Sequence, residues 1–337
     1  MTGAGPEAGK DGDPSFPAAA SAGDPQGTPA PPRGHRPWSA EWVLFGPYGL
    51  RAGWRIALYL PLALGLWATL ATLARTAGVP QTFTTQTAVM LAAALLAGWA
   101  MLAWVDRRSP QALGLAADRA AAQDSAVGFG LGAGSLALAV GLLVVAGSAR
   151  WVADDGSVAE YVAVLAQALG FFAVAAAMEE AVFRGYMFQA LVQGIGPWPT
   201  ALLTSALFAA AHLGNPNVGP IALANIGVAG VMLAVAYLRT RSLWFATALH
   251  LGWNWAMSAL FDFPVSGLVR DTPLYDAVES GADWWSGGPF GPEGGLAATV
   301  AVLALTAWLR RTRALGESAR MRALRPLVDD RLGERWS

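Results

Sequence analysis

The sequence predicts an all-α, polytopic transmembrane helical bundle of about eight spans, with N and C termini cytoplasmic. Three observations carry that prediction. Of 337 residues, 55% are hydrophobic and only 13% charged, about half the charge of an ordinary soluble domain. Apolar stretches long enough to cross about 30 Å of hydrocarbon recur along most of the chain. The few arginines fall between those stretches, and unevenly. The composition also excludes other classes. A net charge of −1 and a pI near 6.3 supply no basic footprint for nucleic acid. The absence of cysteine removes disulfides, cysteine-based zinc sites and thiol nucleophiles together.

The elements follow in order. Residues 1–40, rich in Gly, Pro, Ala and Ser, lack the apolar periodicity that would repay ordering and are predicted to be a disordered tail. They also lack the basic start and apolar core of a secretory signal, and His35 within them is idle. Residues 41–160 carry spans one to three, at 54–74, 86–105 and 126–146. Between the second and third, 109–124 mixes Leu113 and Leu115 with Asp118 and Arg119. It reads either as an amphipathic segment at the interface or as a solvated connector. Residues 161–260 carry spans four to seven, at 161–192, 198–213, 219–238 and 243–260. An outer loop at 261–293 is acidic through Asp262, Asp271, Asp276, Glu279 and Asp283, the last span covers 294–309, and 310–337 form a basic cytoplasmic tail.

Charge orients this arrangement. Arg33, Arg36, Arg51, Arg55, Arg107, Arg108, Arg119, Arg239, Arg241, Arg310, Arg311 and Arg313 then lie inside, and only Arg75, Arg150 and Arg270 outside. With a GC-biased composition, this points to a multi-pass protein of the bacterial cytoplasmic (inner) membrane, with lipid as its first partner. Trp244, Trp284, Trp285 and Trp308 fall near proposed span ends, where headgroups suit an amphipathic ring, and Trp253 and Trp255 read as packed between helices.

Within residues 161–238 the formally charged side chains are Glu179, Glu180 and Arg184. Charges in a span are costly and are functional candidates by default. Glu180 and Arg184, four apart, share a helical face and form a self-neutralising pair. Glu179 is rotated by about 100° and has no local partner, which makes it the better general base. His212 and His250 also fall in or at the end of apolar spans, each with a companion four residues away, Phe208 and Asn254. Phe208 would wall the first imidazole from lipid. Asn254 beside His250 is the type of donor pair that stabilises an oxyanion. Asn225 in span six is expected to make an interhelical hydrogen bond. At 1.5 Å per residue, Glu179 lies about 20 Å from residue 192, His212 about 20 Å from 198 and His250 about 10 Å from 243. The site is expected inside the bilayer, reached from the cytoplasmic side.

The set Glu179-Glu180-x-x-x-Arg184, Phe208-x-x-x-His212 and His250-x-x-x-Asn254 resembles the three motifs of the CAAX protease and bacteriocin-processing (CPBP) family of intramembrane proteases, which includes CAAX prenyl endopeptidases. The resemblance covers 161–260. It implies an endopeptidase acting on a membrane-associated peptide or protein substrate, with Glu179 and His212 activating water, His250 and Asn254 stabilising the oxyanion, and Glu180 and Arg184 holding the helix. The reading of cofactor is none or Zn2+. There is no H-E-x-x-H helix, yet Glu179, Glu180, His212 and His250 contain enough ligands for zinc with an open position, so glutamate-type and metalloendopeptidase chemistry both stand, the former preferred. Two readings compete with the protease: a proton-coupled transporter, because buried Glu and His also build proton relays, and a non-catalytic membrane scaffold.

Overall fold

A computed structural model describes residues 39–332. The proposed disordered tail, with His35, Arg33 and Arg36, lies outside the described residues apart from 39 and 40, as do the last five residues of the basic tail. Nine principal helices account for most of the rest. They are α1 (Ala52–Thr76), α2 (Phe83–Ala100), α3 (Arg119–Val145), α4 (Val158–Phe183), α5 (Tyr186–Ile195), α6 (Pro197–Ala211), α7 (Pro220–Thr240), α8 (Leu243–Trp255) and α9 (Leu296–Arg311). π-helical turns extend α2 through Met101–Val105 and α8 through Ala256–Leu260. Five stretches are long and apolar enough to cross a membrane: α1, α2 with its π turn, α3, α4 run together with α5, and α7. The chain is an integral membrane protein on that ground. Helices also cover the proposed spans at 198–213, 243–260 and 294–309.

The fourth proposed span differs from expectation. It is two helices, because the chain turns at Arg184 and Gly185, where a Cβ on Gly185 would sit 2.1 Å from the carbonyl oxygen of Ala181. α5 has its own face, burying Tyr186, Phe188 and Gln189. The depth counted for Glu179 from residue 192 therefore does not run along one axis, and Glu179 and Glu180 lie in the last turn of α4. The connector 109–124 also departs from both readings. Pro110–Leu113 forms a 3-10 turn with Ala112 and Leu113 buried in the core, and Asp118 caps α3 through the Ala121 amide.

Two clusters make the interior. One joins α3, α4, α7, α8 and α9 around Leu136, Phe172, Phe245, Leu249 and Trp253. The other joins α1, α2, α5, α7 and the C-terminal segment around Tyr59, Leu113, Tyr186, Tyr237 and Leu327. α1 buries only Arg55 and Tyr59, so most of its apolar surface faces outward, as lipid permits.

The ends of the described chain share one face. Arg108 and Gln193 both bond Asp330, at 2.5 and 2.6 Å, and Arg241 pairs with Asp329 at 2.8 Å. On the opposite face, β1 (Ala149–Ala153) pairs antiparallel with β2 (Tyr275–Glu279), Ala149 opposite Glu279 and Ala153 opposite Tyr275. That sheet fastens the 261–293 loop, which is folded rather than solvated: Asp262 accepts from the amides of Thr272 and Ala277 at 3.0 and 2.9 Å. Burial holds the Asp262 carboxyl above its ordinary value, opposed by those two amides.

Candidate active site

Three helices bring the motif residues together. α4 carries Glu179 and Glu180 in its last turn, α6 ends at His212, and α8 presents His250 and Asn254 on consecutive turns of one face. α8 is set by its packing on α3. A Cβ on Gly132 would stand 2.0 Å from the Leu249 carbonyl oxygen, and one on Gly252 would stand 2.2 Å from that of Phe129. These glycines permit backbone contact directly beside His250.

The Glu180 and Arg184 side chains, both fully buried, pair at 3.0 Å, as the i,i+4 spacing predicts. The pairing occurs at the helix end, where Arg184 is the C-cap, and its other guanidinium nitrogen donates to the Gly230 carbonyl at 2.9 Å. Gly230 is at the middle of α7, which puts the site at mid-depth in the bundle. The same Glu180 oxygen accepts from Nδ1 of His250 at 3.0 Å, so Glu180 holds the imidazole as well as the arginine. Sequence spacing did not show this bond, because it joins residues 70 apart.

Glu179 Oε2 is buried without a hydrogen-bond partner and lies 3.7 Å from Nε2 of His250. His212 Nδ1 lies 2.7 Å from the Phe208 carbonyl oxygen. A carbonyl can only accept, so the proton is on Nδ1 and the Nε2 lone pair is free. Phe208, 3% exposed, has its ring centroid 4.7 Å from that of His212 and 6.1 Å from that of His250, with the Arg184 guanidinium 4.8 Å over its face. It packs beside both imidazoles. Asn225 makes its expected interhelical bond, accepting from Thr299 of α9 at 2.6 Å while donating to the carbonyls of Glu293 and Gly295.

Glu179, His212, His250 and Asn254 line one cavity of about 520 Å³. Glu293, which sequence reading left inside the outer loop, lines it too. Its carboxylate accepts from Trp253 Nε1 at 3.0 Å and from both the amide and the hydroxyl of Ser266. The only sequence signal for this was a carboxylate three residues ahead of an apolar helix. The deep wall is closed by Phe172, Phe208 and Leu233, each no more than 3% exposed, whereas rim residues Phe83, Leu268 and Met90 are 59%, 44% and 41% exposed. The mouth thus lies among residues 214–216, 265–268 and the start of α2, on the face opposite the chain ends. The rim and the chain ends thus lie toward opposite ends of the helices.

Among the described residues no three His, Asp or Glu side chains gather into a metal-holding group. Of the proposed zinc ligands, Glu180 is engaged through Oε1 by Arg184 and His250, whereas Glu179 Oε2 has no hydrogen-bond partner and the bond from His212 Nδ1 to a carbonyl leaves Nε2 as the nitrogen that would meet a metal.

Fold and site together define a helical integral membrane protein with a carboxylate and two imidazoles converging inside it. Residues 161–256 match the family model described as type II CAAX prenyl endopeptidase Rce1-like, the stretch that carries all three motifs. That match agrees with the resemblance read from the motifs. No curated protein and no solved structure matches significantly.

Proposed function

We propose that the protein is an intramembrane endopeptidase that hydrolyses peptide bonds of a membrane-associated substrate, by a glutamate mechanism. The observation that carries this reading is the orphaned Glu179 carboxylate oxygen, facing the same cavity as His212, His250 and Asn254. Glu179, with the free Nε2 of His212, takes a proton from water. The hydroxide adds to the scissile carbonyl, and the tetrahedral oxyanion receives hydrogen bonds from Asn254 Nδ2 and His250 Nε2. Nδ1 of His250 is already bonded to Glu180, so donation from Nε2 needs the doubly protonated imidazole, and Glu180 supplies its counter-charge. The proton taken by Glu179 then passes to the leaving amine. Glu180 and Arg184 act through His250 and the helix end and are positioning residues.

Cleavage of a membrane-tethered peptide by the purified protein tests this. Glu179→Ala and His212→Ala are each expected to lower kcat by about 10²-fold to 10⁴-fold, the range for a positioned acid or base. Activity surviving both changes would falsify the assignment. Stoichiometric zinc that is lost on His212→Ala, measured on the same preparation, would replace the glutamate mechanism with a metal one.

A further inference from the structure

We propose that Glu293, acting through Trp253, is a positioning residue for Asn254: together with Trp255 it clamps the last turn of α8 at the rotation that turns Asn254 into the cavity. The clamp stands on geometry alone, while its consequence for turnover rests on the proteolytic reading above.

The two imidazoles of the site have fixed partners. His250 is held by Glu180 and His212 by the Phe208 carbonyl. Asn254 lines the cavity, and among the described residues nothing bonds its amide group. Its direction is therefore set by the helix beneath it. That helix is poorly determined from its C-terminal side, because the α-helical ladder ends at Trp255 and the π turn Ala256–Leu260 follows with a different repeat. The last α-helical turn has to be held from outside.

Two indoles hold it. Trp253 Nε1 donates to Glu293 Oε1 at 3.0 Å, and Trp255 Nε1 donates to the Leu165 carbonyl of α4, also at 3.0 Å. At about 100° per residue these flanking side chains leave the helix about 200° apart, with Asn254 midway between them. Rotation of the turn in either sense pulls both indoles off their acceptors. Neither acceptor is free to follow. Leu165 offers helix backbone, and Glu293 accepts from the amide and hydroxyl of Ser266 at 2.9 and 2.7 Å while its own carbonyl accepts from Asn225 of α7 at 2.8 Å. Both carboxylate oxygens of Glu293 accept, as in an ionised group, which strengthens the indole bond, and Trp253 is only 6% exposed, which keeps water from competing for it. α4 also carries Glu179, so the Trp255 bond refers the proposed oxyanion donor to the helix of the proposed base.

Cleavage of a membrane-tethered peptide is measured for Glu293→Ala, Asn254→Ala and the double variant. The expected result is a kcat about 10-fold to 10²-fold lower for Glu293→Ala at unchanged KM, as for a small misplacement of a reacting group. Added to Asn254→Ala, the same change is expected to cost nothing further, to within about twofold. A residue that only stabilises the fold would lower the double variant by its full factor again. That outcome, or an unchanged kcat in the single variant, overturns the inference. Hydrogen–deuterium exchange read by mass spectrometry needs no turnover: Glu293→Ala is expected to raise exchange in residues 250–260 and to leave α1 unchanged. Exchange that stays the same in 250–260, or rises equally throughout, overturns the clamp. Trp253→Phe removes the same bond while Ser266 still holds Glu293, and it takes the place of Glu293→Ala if that protein does not accumulate. A local rise in exchange without Glu179-dependent cleavage by the parent protein defeats only the proteolytic reading. Glu179-dependent cleavage with kcat intact in Glu293→Ala defeats only the positioning role.

Discussion

At the scale of single residues, the two adjacent carboxylates differ in what they face. Glu180 Oε1 is engaged by both Arg184 and His250 and its Oε2 is buried without a donor, whereas Glu179, whose Oε2 also has no donor, lines the cavity. Removing Arg184 would strand Glu180 in a fully buried position. Arg184→Ala is expected to cost about 3–5 kcal/mol, the penalty for an uncompensated buried charge, read as a lower melting temperature in detergent. Asn254 is a different case, since its side chain lines the cavity and is free to meet a ligand. Asn254→Ala is expected to lower kcat by about 10²-fold to 10³-fold with little change in KM, as for loss of an oxyanion donor. A rise in KM at constant kcat would instead show that Asn254 binds substrate in its ground state. The i,i+4 spacing made the Glu180–Arg184 pair and the His250–Asn254 face legible in the sequence. It was silent on the Glu180–His250 bond, which exists only because α4 and α8 pack together.

At the scale of elements, α8 carries two of the four proposed catalytic residues and takes its position from α3. Gly132 and Gly252 allow the two backbones to touch, and a Cβ at either would overlap a carbonyl oxygen of the other helix. Gly132→Ala is expected to push α8 outward, lowering both stability and activity. Gly130→Ala, with nothing within 4 Å of the added carbon, is expected to leave both unchanged. Melting temperature and cleavage rate, measured on the pair, check this. Equal effects of the two changes would show that the loss is one of glycine itself and not of the contact. The turn at Arg184–Gly185 is another feature of this scale. Hydropathy runs unbroken through it, so apolar content alone predicted one long span where the chain builds α4 and α5.

At the scale of the whole molecule, the C-terminal segment closes the face that carries both chain ends. Asp330 bonds Gln193 of α5 and Arg108, while Asp329 pairs with Arg241 just past α7. Arg55 in turn joins Gln193 to Asp106, where Arg55 and Asp106 are buried and 2.7 Å apart. Ending the chain after residue 317 is expected to lower the melting temperature and to expose α5 to proteolysis. Unchanged proteolysis of α5 would show that the segment only rests on the bundle. Because the protein lacks cysteine, its activity is also expected to be unaffected by thiol alkylation, and inhibition by such a reagent would point to a contaminating enzyme.

The sequence by itself determined the class of the protein, its membrane residence, and the identity of the residues that share a helical face. Those properties follow from composition, from the length of apolar stretches and from the 3.6-residue period, all of which are local along the chain. Only the tertiary structure decided that Glu180 grips His250, that Glu293 folds back onto Trp253 and Ser266, and that the cavity opens away from the chain ends. Each of these joins residues far apart in sequence through helix packing, which no local period encodes.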